Sequence, residues 1–223
     1  MYKRCTPLKF KGNTSIFEFI NYYMFSKQCN NIFEQAVANY HQYNDIDKVC
    51  PNPFNDGSID SVLYAKCWID TAQWHMEDEI RNPSIDPAEA LLWKRRIDKS
   101  NQDRTDIVEE IDTYFFEKYK TIQPKSSARI NTESPAWAVD RLSILVLKIY
   151  HMREETLRTD TDEAQMDKCS QKLAILLQQQ VDLSLAIDEL LADIEQGDKY
   201  MKVYRQMKMY NDPALNPVLY NKK

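Results

Sequence analysis

Residues 134–152 read SPAWAVDRLSILVLKIYHM. Ser134-Pro135 is a helix start, because proline at the first helical position has no N–H left without a partner. Ala138, Leu142, Leu145, Ile149 and Met152 then recur at three- and four-residue steps, and Ile144, Val146 and Leu147 make nearly the whole circumference apolar. A helix apolar almost all the way round is one that other helices surround. The segment therefore predicts the most buried helix of an all-α bundle.

Downstream, a fifth helix is expected from about Asp160–Asp162. It carries Met166, Cys169, Leu173, Leu176, Gln180, Leu183, Ile187, Leu190 and Ile194 in heptad-like steps. At ~1.5 Å per residue its 35 or so residues span about 50 Å. Gly197-Asp198 reads as a terminating glycine followed by a new N-cap, predicting a short sixth helix over 199–210. Pro213 and Pro217 are incompatible with a regular helix in the tail.

Upstream, Asp86-Pro87-Ala88-Glu89 starts a third helix that should persist to about Lys120. A second runs over 59–81, with Val62, Ala65, Ile69, Ala72, Met76 and Ile80 in step. The first is expected over 15–43, opened by the Ser15/Glu18 capping box. The fold class is thus all-α: a single antiparallel bundle of five to six helices, with one long helix near the C-terminus. Residues 26–210 make the bundle and 211–223 an extended tail expected to dock. Residues 1–25 form an N-terminal extension, and Met24 is a candidate for the biological start.

Composition narrows function by exclusion. The chain has 223 residues, 43% of them hydrophobic, and only three glycines, Gly12, Gly57 and Gly197. A dinucleotide-binding GxGxxG, a phosphate-cradling P-loop and a GxSxG nucleophile elbow all need clustered glycines, so none is present. With 29 basic and 34 acidic residues interspersed and a net charge of −5, there is no basic stripe for nucleic acid. No apolar run approaches 18 residues, so no membrane span is expected. The five cysteines and three histidines form no CxxC, CxH or HxxxH pair, so no metal site and no required cofactor is expected from spacing. The absence of a disulfide pattern points to the cytoplasm.

The polar residues inside apolar stripes mark where a site would be. The inner line of the third helix reads Ala90, Lys94, Ile97, Asn101, Arg104, Val108, Ile111, Phe115. An amide and a guanidinium on a core-facing line need buried partners. The second helix offers Asp70, Trp74, Glu77 and Arg81 on one face and Thr71, His75 and Asp78 on the adjoining one. One reading is structural: Arg104 pairs with Glu77 or Asp78, and Asn101 fixes register. The other is an inter-helix pocket for a small anionic or sugar-phosphate ligand, lined by Trp74, Arg81, Asp98, Asn101 and Arg104. If it catalyses, His75 is the acid or base, Glu77 and Asp78 its carboxylates, and Arg81 and Arg104 the anion clamp.

Two alternatives remain. Glu109 and Asp112 form an ExxD pair, as in all-α magnesium-dependent phosphohydrolases, and with Glu77 and Asp78 they would hold Mg²⁺. His75 with Asp78 would have to replace the second acidic pair that such enzymes carry. The non-enzyme alternative is an interaction or scaffold subunit, a homodimer through the fifth helix. His151, at the end of the apolar run, reads as a lone histidine capping a packed face.

The strings Trp74-His75-Met76-Glu77-Asp78 with Arg81, Lys94-Arg95-Arg96-Ile97-Asp98 with Asn101-Gln102-Asp103-Arg104, and Asn131–Trp137 resemble the bacterial family catalogued as domain of unknown function 4254, in its Bacteroidetes form. The resemblance covers about 27–220, including the segment Tyr200–Tyr220. It implies a setting near lipopolysaccharide glycosyltransferases, and hence envelope-polysaccharide enzymes as partners. It names no reaction. Its signature falls on His75, Glu77, Asp78, Arg81, Asp98, Asn101 and Arg104.

Overall fold

A computed structural model of the chain describes residues 24–205, 209 and 212–220. Among them are six helices: α1 (Met24–Tyr43), α2 (Ile59–Glu79), α3 (Pro87–Tyr119), α4 (Pro135–Thr156), α5 (Glu163–Glu195) and α6 (Pro217–Tyr220). Two short strands complete the described elements, β1 (Arg129–Ile130) and β2 (Lys199–Tyr200). The expected helix start at Ser15 and the extension 1–23 lie outside the described residues.

Capping follows the sequence closely. The Ser58 hydroxyl accepts from the Ser61 N–H, and the Asp86 carboxylate accepts from the N–H groups of Ala88 and Glu89. Asp162 caps α5 through the Gln165 N–H, while Ser134 precedes Pro135 without a side-chain cap bond. The helix expected over 199–210 is not formed across 199–205. Lys199 and Tyr200 instead pair in parallel with Arg129 and Ile130, and the Asn131 N–H donates to the Tyr200 carbonyl at 2.9 Å. Gly197 makes this possible: its φ is +73°, and a Cβ there would stand 2.9 Å from the Gln123 carbonyl oxygen. The tail is not wholly extended either, since Pro217–Tyr220 forms one helical turn.

α4 is the hub. Val139, Leu142, Val146 and Leu147 are buried and share one core cluster with Phe33, Val37, Leu63, Tyr64, Val108, Ile111, Phe115 and Ile187 from the surrounding helices. Burying each such side chain contributes about 1.5–3 kcal/mol. α5 is pinned to α1 by Ser26, whose N–H and hydroxyl donate to Asp188 at 3.1 and 2.6 Å.

The bundle is antiparallel only in part. α1 and α2 run in the same direction, because Phe33 meets Cys67 and His41 meets His75. α2 and α4 do so too, with Lys66 on Asp140 and Trp74 on His151. Only α3 and α5 run the other way: Asp70 and Gln73 of α2 meet Arg104 and Asn101, and Ser26 and Asn30 of α1 meet Asp188 and Ser184. The connection 44–58 carries the chain back between the parallel α1 and α2, and α3 carries it back between α2 and α4, so the C-terminal ends of α1, α2 and α4 lie together.

Candidate functional site

α2 passes through two polar clusters. The first lies between α2, α3 and α4. The Lys66 ammonium, fully buried, donates to Asp70 and to Asp140, the latter at 2.8 Å. Arg104 donates through Nε to Asp70 at 2.5 Å and through Nη2 to Asp140 at 3.3 Å, and the Ser143 hydroxyl adds a bond to Asp70 at 2.6 Å. Two cations meet two carboxylates, so the cluster is neutral and internally satisfied. Burial opposes charge on Arg104, but Asp70 and Asp140 outweigh it and hold the guanidinium above its usual range.

This corrects the expectation that Glu77 or Asp78 is the partner of Arg104. In antiparallel helices the facing register is set by Gln73, which accepts from Ser100 at 2.8 Å and donates to Asn101 at 2.9 Å. Asp70 is therefore opposite Arg104, and Glu77 lies two turns farther on, where it pairs with Arg81. Asn101 clasps α2 to α3 and does not line a cleft. Asp98 is exposed and pairs with Lys94 on its own helix. The proposed magnesium set does not converge. Asp112 is eight residues beyond Arg104 and Glu77 seven beyond Asp70 in the opposite direction, which separates them by about 20 Å along the helices. Asp112 is buried, and burial pushes its carboxyl above the usual range. Glu109 faces Arg205.

Above the network opens a cleft of about 380 Å³ whose walls include Trp74, Glu77, Asp78, Arg81 and Arg104. Five of the sequence-derived residues thus share one hollow. A larger cleft of about 590 Å³ adjoins it, because Trp74 and Asp78 line both. Its remaining walls are Lys148, His151, Glu154, Glu155 and Lys172, with Met152, Ile175 and Leu176 as the apolar floor. Of the two glutamates, Glu154 faces His151 and Glu155 pairs with Arg158. Lys148 and Lys172 are exposed and make no ion pair among the described residues.

The second cluster contains all three histidines of the chain. His41, His75 and His151 lie within the last turn and a half of α1, α2 and α4, and one ring nitrogen from each lies within 4.8 Å of the other two. His41 Nδ1 donates to the Val37 carbonyl at 2.7 Å. Its Nε2 stands 3.2 Å from His75 Nε2. His75 Nδ1 faces Asp78 at 3.8 Å and His151 Nδ1 faces Glu154 at 3.0 Å. The His151 Nε2 is buried with no hydrogen-bond partner. Each ring is also stacked: His75 on Tyr40, His41 on Tyr150, and His151 on Trp74 with planes 9° apart. Burial is the first cause, and the neighbouring imidazoles the second, that push His75 and His151 below the usual histidine range. Both therefore favour the neutral form, which has a lone pair available.

Sequence reasoning located His75, Glu77, Asp78, Arg81 and Arg104 but missed Lys66, His41 and the partnership of His151. The overlooked signal was positional: every histidine of the chain falls near the C-terminal end of an apolar helix.

The family model described as Protein of unknown function (DUF4254) matches residues 60–203. That range holds the ion network, both clefts, His75 and His151, while His41 lies outside it. No match was found among curated proteins or among solved structures.

Proposed function

We propose that this chain, which belongs to the DUF4254 family of proteins of unknown function, binds a small phosphorylated organic ligand in the larger cleft. The observation that carries this reading is the pairing of two unengaged ammonium groups, Lys148 and Lys172, with the Trp74 indole in one hollow. A phosphate gains from two cations whose charge is not already spent, whereas Arg104 is committed to Asp70 and Asp140. An indole face suits the apolar face of a sugar ring. A sugar phosphate joins the two features, and it fits the envelope-polysaccharide setting that the family resemblance implies.

Metal-free protein is titrated calorimetrically with a hexose 1-phosphate, a nucleotide hexose and the unphosphorylated hexose. The phosphorylated probes should bind and the neutral sugar should not. The double variant Lys148→Gln/Lys172→Gln should lose at least tenfold in affinity while its melting temperature stays within about 2 °C, since both side chains are exposed. Equal affinity in the double variant, or no binding by any probe at millimolar concentration, rejects the proposal. The second of those results would favour an interaction subunit, for which Val181 and Leu185 stand exposed on α5.

A further inference from the structure

We infer that His41, His75 and His151 form a binding site for one divalent first-row transition-metal ion of the Zn²⁺ type, held through the three Nε2 atoms. Four independent features of the cluster converge on this.

The first is spacing. Imidazole nitrogens bind such an ion at ~2.0–2.1 Å, and a tetrahedral arrangement holds two of them about 3.3 Å apart. His41 Nε2 and His75 Nε2 are 3.2 Å apart, and one nitrogen from each of the three rings lies within 4.8 Å of the others.

The second is orientation. A metal-bound imidazole usually gives its other N–H to a carbonyl or carboxylate, which fixes tautomer and ring angle. Here Val37 O and Glu154 lie within hydrogen-bonding distance of the Nδ1 atoms of His41 and His151, while Asp78 stands farther off, 3.8 Å from His75 Nδ1. The His41 contact settles its tautomer: Nδ1 carries the proton that Val37 O accepts, so Nε2 presents a lone pair. The His151 Nε2, sealed from solvent and without a partner, is left with an unmet need that an ion would meet.

The third is rigidity. Tyr40, Tyr150 and Trp74 each stack on one of the rings, so all three imidazoles are held from the side, and those of His41 and His151 through Nδ1 as well. A site whose ligands are already oriented loses little side-chain freedom when the ion arrives.

The fourth is electrostatics. Asp78 and Glu154 supply negative charge behind the rings. The carbonyl ends of three parallel helices also point toward this end of the bundle, each acting as a fraction of a negative charge. All of these favour a cation. The absence of thiolate in the set suits zinc, cobalt, nickel or copper rather than a soft monovalent ion. Three protein ligands leave a four-coordinate ion one further position, and His151 is also a wall of the larger cleft.

The competing arrangement needs no ion: His75 Nε2–H donates to the lone pair of His41 Nε2. The two make different predictions for the metal itself. Full-length protein freed of metal by chelation is titrated with Zn²⁺ against a chromophoric chelator, and separately with Co²⁺ while the visible spectrum is recorded. The site predicts one Zn²⁺ per chain, micromolar or tighter, and an intense tetrahedral Co²⁺ spectrum. His41→Gln, His75→Gln and His151→Gln should each weaken Zn²⁺ binding at least a hundredfold, and Glu154→Gln about tenfold to a hundredfold. Should a histidine variant fail to fold, the Co²⁺ spectrum of the wild type and the Glu154→Gln titration still decide. A stoichiometry below one, a weak octahedral Co²⁺ spectrum, or unchanged affinity in the folded histidine variants overturns the inference. The sugar-phosphate titration uses metal-free protein, so either proposal can fail alone.

Discussion

α2 carries two polar clusters little more than a turn apart, one centred on Asp70 and the other on His75, and they differ in what each lacks. At Asp70 every charge has met its opposite: Lys66 and Arg104 are matched by Asp70 and Asp140, with the Ser143 hydroxyl filling a remaining lone pair. At His75 the polar atoms converge without cancelling, and the His151 Nε2 has no partner at all. A satisfied cluster in a helical core specifies which helices meet and in what register. A cluster that converges on an unfilled point is poised to take something from outside. Proximity of polar residues is common to both, so the difference rests on the count of unmet donors and acceptors.

The sharpest way to break this contrast is to remove one member of the satisfied cluster. Lys66→Met leaves two buried carboxylates facing Arg104 alone, and should cost about 3–5 kcal/mol in urea denaturation. Adding Asp70→Asn to the same chain should recover more than half of that loss, because the network then regains charge balance. A cost below about 1 kcal/mol for Lys66→Met would show that the four charges do not depend on one another.

The histidine cluster should respond in the opposite manner. In metal-free protein His41→Gln forfeits one hydrogen bond to Val37 and a ring stack, at a cost of about 1 kcal/mol. Zn²⁺ at a hundredfold the wild-type dissociation constant should then stabilise the wild type by about 2.7 kcal/mol and the variant by no more than about 0.4 kcal/mol, as read by thermal melts. A variant stabilised as much as the wild type would place the metal elsewhere.

Much of the fold was legible because it rests on local chemistry. The helix starts at Asp86 and near Asp162 are visible as residues, and the apolar circumference of 138–152 marks the hub without reference to anything distant. What failed was register and direction. The inner line of α3 holds at Ile97, Val108, Ile111 and Phe115. The α2 stripe over 62–80 is half-buried except at Ala72, and the buried side carries Leu63, Tyr64, Cys67, Trp68 and Thr71. Nor do stripes say which turn meets which, so Arg104 was assigned Glu77 or Asp78 when Asp70 lies opposite. The histidines were harder still. One sits on each of three separate helices, and they meet only because α1, α2 and α4 are parallel, which the long connection 44–58 and the antiparallel passage of α3 decide. The helix expected at 199–210 does not form across 199–205 for a related reason: Lys199 and Tyr200 have backbone partners in Arg129 and Ile130, which no local propensity encodes.

Asp112 supplies the smallest and most discriminating test, since it is an orphan without a cluster. Its Oδ1 is buried and without a hydrogen-bond partner, as is the His151 Nε2, but Asp112 belongs to no group of three or more metal-ligating side chains among the described residues. Burial holds its carboxyl above the usual range, with Ser134 opposing and Glu109 adding to the shift. The native state therefore prefers the protonated form more than the unfolded chain does. That preference stabilises fully below the unfolded value near ~3.9 and is lost as pH rises through the raised native value. At pH 7 the carboxylate is a burden, and Asp112→Asn should stabilise by about 1 kcal/mol, a rise of about 2–4 °C in melting temperature. Below about pH 4 the two proteins should converge. A loss of stability in Asp112→Asn at pH 7 would mean that the carboxylate has a charged partner, and that one unfilled atom had been mistaken for a cost.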